Sequence, residues 1–375
     1  MADVKPLDLG ALRVELDRTG APWRSVDTTV ALLEEQDRRR LLGVPAPDSS
    51  EAERLITQAE AIAPHYGNGN GGGPAMVTNG VAAIGASFDA RNVYGLSYVT
   101  PVKNQGGCGS CVSFGTVATI ETTAAFTRGQ PDLKLDLSEQ HLFFVLGAAT
   151  GASCASGWWP EHAFTACRDT GVTFEDYMPY QGGGGGTLNP DWQNRLAKLT
   201  GFQTLTGNVA AIKNHIATRG AVSACLIVYQ DFFSYGAGVY KHVSGAQAGG
   251  HCISLVGFDD VLGCWIGKNS WGTGWGEQGF FRIGYGECAI ETWRVHGADS
   301  VNLRMWVDAL IKGLYATESA DSAWAYLEKL GWARLAYGAP GANLAMLNEL
   351  TSSRLRSQPV HAFHDNGQLT TTYSF

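Results

Sequence analysis

The sequence predicts an α+β fold in which a helical half and an antiparallel, barrel-like strand half face each other across a crevice. Three observations predict it. Residues 111–170 carry helical patterning in three segments, Cys111–Thr127, Leu137–Gly147 and Trp159–Asp169. Residues 221–285 carry short strand-like runs, AVSACLIVY, HCISLVGF, GCWIGKN and GFFRIGY. The side chains best suited to chemistry are divided between these halves, so a site is expected where the halves meet.

The remaining elements follow in chain order. Residues 8–19 and 26–42 have the pattern of short helices, the second with mixed charges in LLEEQDRRRL. PAPDSS (45–50) is a break, and Asp48, Ser49 or Ser50 can cap the helix expected over EAERLITQAEAIA. HYGNGNGGGPAMVTNG (65–80) is a flexible, nearly uncharged linker. Beyond the strand-rich region, VNLRMWVDALIKGLYA (301–316) and DSAWAYLEKLGWARL (321–335) are expected as amphipathic helices, with a third over ANLAMLNELTSSRL (342–355). PVHAFHDNGQLTTTYSF (359–375) is expected as a hairpin turned at Asn366-Gly367, a type I′ signal.

Composition narrows the function classes. The chain has 375 residues, 45% apolar and 17% charged, enough for two or three domains with a sizeable core. A net charge of −8 argues against a nucleic-acid partner. No apolar run approaches the roughly 18–20 residues of a membrane span. The N-terminus has scattered acidic residues and no apolar h-region, so it does not resemble a secretory signal.

The densest chemical signal is PVKNQGGCGSC (101–111). It sets the Cys111 thiol at a helix N-terminus behind a glycine-rich turn, where free N–H groups and the helix dipole favour thiolate. Gln105, six residues upstream, offers an amide donor of the kind a developing oxyanion needs. A cysteine nucleophile needs a base, and the base needs an orienting partner. His251 opens the strand-like run HCISLVGF, and Asn269 ends the next run beside Trp271. A redox or zinc role for Cys108-x-x-Cys111 is disfavoured. The other cysteines are scattered singly, and no βαβ frame surrounds the pair.

With these residues in hand, the chain resembles the papain-like cysteine proteases over roughly residues 84–298. ASFDARN, PVKNQGGCGSC, LSEQHL (137–142), SCASGWWP (153–160), the His251 segment, KNSWGTGWGEQGFFRI (268–283) and ECAIE (287–291) all fall in that family's order. The resemblance implies a two-lobed fold. It also implies Cys111 as nucleophile, His251 as base, Asn269 orienting the imidazole, and Gln105 with the Cys111 N–H binding the oxyanion. Trp271 would shield the histidine–asparagine hydrogen bond. Cys108 and Cys154 match the family's disulfide pair, which leaves Cys167, Cys225, Cys252, Cys264 and Cys288 as buried thiols. Trp158, Trp159, Cys225, Gly250 and Trp293 match the pocket for the second residue before the cut, implying preference for a compact apolar side chain. Val112 departs from the family's aromatic residue after the nucleophile, which bears on the packing behind the helix.

The implied organisation is a helical propeptide at 1–83, a peptidase domain at 84–298 and a small accessory α+β domain at 299–375. The propeptide would run backwards through the cleft as an intramolecular inhibitor. The accessory domain could be a binding module, a cap on the strand-rich half, or a second inhibitor whose tail enters the cleft. The expected protein is a monomeric zymogen of an endopeptidase acting on proteins and peptides, with no cofactor, no metal and no nucleic-acid partner. A thiol acyl-transferase or peptide ligase, and a catalytically impaired binding module, stay open as alternatives. The compartment also stays open. A disulfide favours a secreted or periplasmic setting, and the absence of a visible signal keeps the cytoplasm in play.

Overall fold

A computed structural model describes residues 7–62, 85–317, 323–336 and 341–374. The expected linker at 65–80 lies outside these residues.

The N-terminal segment contains α1 (Leu9–Thr19), β1 (Trp23–Ser25), α2 (Glu35–Arg39) and α3 (Ser49–Ile62). Helix α1 begins at Asp8, whose carboxylate accepts the Ala11 N–H, and ends at Gly20 with φ +63°. Helix α3 begins where the sequence places it, with the Asp48 carboxylate accepting the Glu51 N–H at 2.9 Å. The helix expected over 26–42 shrinks to α2. Residues 23–28 are extended instead because another part of the chain takes their hydrogen bonds. β1 pairs with β6 (Tyr235–Tyr240), the Val26 N–H donates to the Ser234 carbonyl, and the Thr28 hydroxyl donates to the Phe233 carbonyl.

In the helical half, α4 (Cys111–Thr127) is buried on all sides from Cys111 to Ala125. Its surroundings are therefore apolar whichever face is considered, and no amphipathic stripe is needed. Helix α5 (Pro160–Asp169) opens with proline at its first turn, where the missing N–H costs nothing. Between them, the expected helix over 137–147 is a short π-type turn at His141–Leu146.

The strand half comprises β2 (Ser87–Asp89), β5 (Val222–Tyr229), β6, β7 (Gln247–Asp259), β8 (Cys264–Lys268) and β9 (Phe280–Gly284). The four runs expected from the sequence are β5, β7, β8 and β9, paired antiparallel as β5–β7–β8–β9, with β6 running parallel to β9. β3 (Val172–Thr173), β4 (Leu196–Thr204) and α6 (Val209–Arg219) lie outside the elements expected from the sequence.

The C-terminal region requires a correction. The two helices expected over 301–335 are strands: β10 (Arg294–Ala309), β11 (Ile311–Ala316), β12 (Ala323–Leu327) and β13 (Gly331–Leu335). Burial alternates along β12, with Ala323, Ala325 and Leu327 inward and Trp324 and Tyr326 outward, the two-residue period of a sheet. The later expectations hold. Helix α7 (Ala342–Arg356) is followed by β14 (Val360–Asp365) and β15 (Gln368–Tyr373), joined through Asn366 at φ +50° and Gly367 at φ +88°.

Strand β10 pairs with β4 and β5 near its start and with β14 further on, so residues on both sides of position 298 share one strand. The path β1-β6-β9-β8-β7-β5-β10-β14-β15-β13-β12-β11 is continuous. Ala309, Leu327 and Leu335 join the same buried cluster as Val117, Ile120 and Leu133 of the helical half. The described tail stays on the appended sheet, with β15 between β14 and β13, and does not enter the cleft.

Candidate active site

Cys111 is the first residue of α4, and a glycine-rich turn brings it there. The turn is closed by the Cys108–Cys154 disulfide and by the Gly109 N–H donating to the Cys154 carbonyl at 3.1 Å. The remaining cysteines are free and buried, as expected. The backbone amides of Cys252, Gly43 and Val112 lie close to the Cys111 sulfur and favour its charged form. Burial nonetheless pushes the thiol well above its ordinary range, and the neighbouring Cys252 thiol pushes the same way.

His251 lies in β7, on the opposite wall, next to the Cys252 whose backbone amide lies close to that sulfur. Its Nε2 is 2.7 Å from Asn269 Oδ1. An amide oxygen only accepts, so Nε2 carries a hydrogen and a neutral ring keeps Nδ1 as its free basic nitrogen. Nδ1 is buried without a hydrogen-bond partner. Trp271 covers the ring at 4.7 Å between centroids and is itself buried. Burial depresses the imidazole to about 4, against a small opposing effect of the Asn269 bond. In this covered state burial therefore favours the neutral form of both groups.

Gln105 is held at every polar atom. Its N–H donates to the Ser270 carbonyl at 2.9 Å, and its side-chain oxygen accepts from the Ser270 hydroxyl at 2.7 Å. Nε2 donates to the Cys108 carbonyl at 2.8 Å and to the Leu41 carbonyl at 3.0 Å. Ser270, which the sequence analysis passed over, thus aims the amide that it singled out.

The expected pocket residues divide. Gly250 and Trp293 come together: a Cβ at Gly250 would lie 2.4 Å from the Trp293 ring and 2.6 Å from the Val44 carbonyl. Val44, Cys225 and Trp293 share one buried cluster. Trp158 contributes its backbone N–H to the Gly43 carbonyl at 2.8 Å. Its ring turns away into the helical half, against Phe143 and with Nε1 on the Thr150 hydroxyl. Trp159 lies under the Arg294 guanidinium at 4.1 Å.

Residues 41–44 occupy the crevice; the resemblance implied that the N-terminal segment would run through the cleft but not which residues would lie there. Leu41 meets Gln105, Gly43 meets Cys111 and Trp158, and Val44 bridges Gly250 in antiparallel fashion. On one side of them, Trp23 packs on Tyr240 with centroids 5.1 Å apart. On the other, the Thr292 hydroxyl donates to the Leu55 carbonyl of α3 at 2.7 Å.

Comparison with known proteins agrees with this geometry. A family model for papain family cysteine proteases matches residues 84–298, more than half of the chain. Cathepsin B-like CP3 of Giardia intestinalis is 35% identical over 218 residues, covering 55% of this chain and 71% of the relative. Pro-cathepsin H of Mus musculus is 36% identical over 197 residues, covering 50% and 57%. Among solved structures, digestive procathepsin L 3 of the Tenebrio molitor larval midgut superposes with a TM-score of 0.60 at 23% identity, covering 77% of this chain and 87% of that one. ProCathepsin B S9 from Trypanosoma congolense gives 0.60 at 21%, covering 78% and 98%. At these identities the superpositions speak to the fold. The family match and the cathepsin-like relatives speak to the chemistry: the chain belongs to the papain family and is a cysteine peptidase.

Proposed function

We propose that this chain is the inactive precursor of a cysteine endopeptidase in which Cys111 attacks the scissile carbonyl and residues 41–44 seal the cleft until they are removed. The observation that carries this is the engagement of the site by the chain's own segment: the Leu41 carbonyl accepts from the Gln105 amide, the Gly43 backbone lies close to the Cys111 sulfur, and the Val44 N–H donates to the Gly250 carbonyl. In the uncovered enzyme, His251 Nδ1 takes the thiol proton and later delivers it to the leaving amine, while Asn269 holds the ring. The Gln105 N–H now given to Leu41, together with the Cys111 N–H, binds the oxyanion.

The polarity of the segment explains why it is not cut. In a substrate, the residue filling the pocket beside Gly250 precedes the carbonyl held at Gln105. Here Val44 fills that place and follows Leu41, so the chain runs the opposite way. The test is a peptidase assay on the full-length chain before and after removal of residues 1–83, with Cys111→Ala as control. Full activity before trimming ends the inhibitory reading.

Trp293 packs closely over Gly250, so compact apolar residues are expected at the second position before the cut. Across fluorogenic peptides varied at that position, valine should be turned over faster than phenylalanine, and Trp293→Ala should reverse the order. Equal or better turnover with arginine there would end the assignment of the pocket.

Acid should favour uncovering. An exposed imidazole gains its proton near pH 6.5, but buried His251 does so only near 4. Because the covered-state value is depressed, stability from the neutral ring is fully present above about pH 6.5 and is lost as pH falls toward 4, by up to ~3 kcal/mol. Self-processing of the full-length chain should therefore accelerate across that window as pH drops. A rate that does not change with pH there would remove His251 from this role.

A further inference from the structure

One phenol joins the two residues that flank the proposed oxyanion site. Tyr180 stands edge-on to Phe114 in the first turn of α4, with centroids 4.8 Å apart and planes at 87°. Its N–H is anchored on the Glu175 carboxylate at 2.6 Å. Its hydroxyl lies 2.8 Å from the Gln105 backbone carbonyl oxygen and 2.7 Å from Ser110 Oγ. A carbonyl oxygen only accepts, so the phenol proton goes to Gln105, and the phenol oxygen accepts from Ser110. Burial holds the phenol up to about 12, which keeps this proton in place at any working pH.

The arrangement has a consequence at the helix end. Ser110 occupies the N-cap of α4, where a serine oxygen ordinarily accepts an N–H from two or three residues on. It makes no such bond here. The Ser113 N–H is met by the Ser110 backbone carbonyl at 2.9 Å instead. The Ser110 side chain is drawn away to Tyr180, and the helix N-terminus stays uncapped where negative charge is to be bound.

We propose that Tyr180 is a positioning residue for oxyanion binding, holding the Gln105 backbone and the Ser110 side chain with one hydroxyl so that the Gln105 amide stays aimed and the first turn of α4 stays open. This inference rests on the roles proposed above for Cys111 and Gln105. Loss of the hydroxyl in Tyr180→Phe frees the Gln105 carbonyl and lets Ser110 swing back to cap the helix. Both changes act on the oxygen-binding position and leave the sulfur and the substrate pocket in place.

The experiment uses the full-length chain with Tyr180→Phe, Ser110→Ala, both together, or Gln105→Ala, each processed in trans by wild-type enzyme and titrated for active thiol. For Tyr180→Phe we expect kcat on a fluorogenic peptide amide to fall roughly tenfold, short of the ~100–1000-fold typical when an oxyanion donor is removed outright. KM should not change. A peptide aldehyde, which places its oxygen at the oxyanion position on adding the thiol, should bind weaker by the same factor. Alkylation by a peptidyl epoxide should keep its wild-type rate. Ser110→Ala should show a smaller loss, and the double variant should recover part of the Tyr180→Phe loss, because no hydroxyl is left to cap the helix; Ser110→Ala also carries the test if the tyrosine variant does not fold. A lowered melting temperature with unchanged kcat and aldehyde affinity overturns the inference by reducing Tyr180 to packing. If Gln105→Ala loses activity and Tyr180→Phe does not, only this inference falls. If Gln105→Ala itself keeps full kcat, the oxyanion assignment fails and takes this inference with it.

Discussion

Cys111→Ala is expected to lower kcat/KM of the trimmed enzyme by about 10⁴-fold or more, the scale on which nucleophile removal acts in enzymes that form an acyl intermediate. Five other free cysteines are buried as well, and Cys111 is distinguished from them by its place. Only Cys111 starts a helix, close to the pinned amide of Gln105, and on the opposite wall the His251 Nδ1 is buried with no hydrogen-bond partner. Burial disfavours both charges in the covered state, raising the thiol and lowering the imidazole. Water admitted by removal of residues 41–44 lowers the cost of both charges, and each then stabilises the other. Cys225→Ala and Cys252→Ala, made in parallel, should retain epoxide labelling while Cys111→Ala loses it. Labelling that survives Cys111→Ala would move the nucleophile elsewhere.

The second large effect is opposite in sign. Gly43→Val is expected to raise the peptidase activity of the uncut chain by ~10–100-fold. A Cβ at position 43 would lie 1.9 Å from the Gly109 carbonyl oxygen, in the turn that carries the nucleophile. Gly157, at φ +70°, approaches from the other side, and a Cβ there would lie 2.0 Å from the Gly43 carbonyl. Backbone meets backbone at both contacts, so no side chain can rotate to make room. Overpacking of this kind costs roughly 1–3 kcal/mol, and each ~1.4 kcal/mol is a tenfold change in the fraction uncovered. The measurement is the initial rate on a fluorogenic peptide at neutral pH, with a gel showing the chain still intact. A valine variant as silent as the wild type would mean that this contact does not seal the cleft.

Much of the fold was legible because local chemistry and tertiary context agreed. The start of α4 behind its glycine turn, the Asp48 cap of α3, the proline opening of α5 and the Asn366-Gly367 hairpin are all short-range signals, and all are present. The mistaken helices over 301–335 show where such signals fail. Trp306, Trp324, Tyr326 and Trp332 suit a half-buried sheet face as well as a helix stripe, and a short apolar run does not distinguish period 2 from period 3.6. Hydrogen-bonding partners decided. β10 found β4 and β14, which lie about a hundred residues before it and about sixty after it.

The site divides along the same line. The order of Gln105, Cys111, His251 and Asn269, and the division of nucleophile and base between two halves, were legible in the sequence, because the helix start at Cys111 and the run ending before Asn269 are local patterns and the motifs around all four fall in one family's order. The charge state of the pair, the hold of Ser270 and Tyr180 on Gln105, the turning away of the Trp158 ring, and the presence of residues 41–44 in the crevice were decided only in three dimensions. Burial and hydrogen-bond geometry depend on groups brought together from distant parts of the chain, and no local pattern records them.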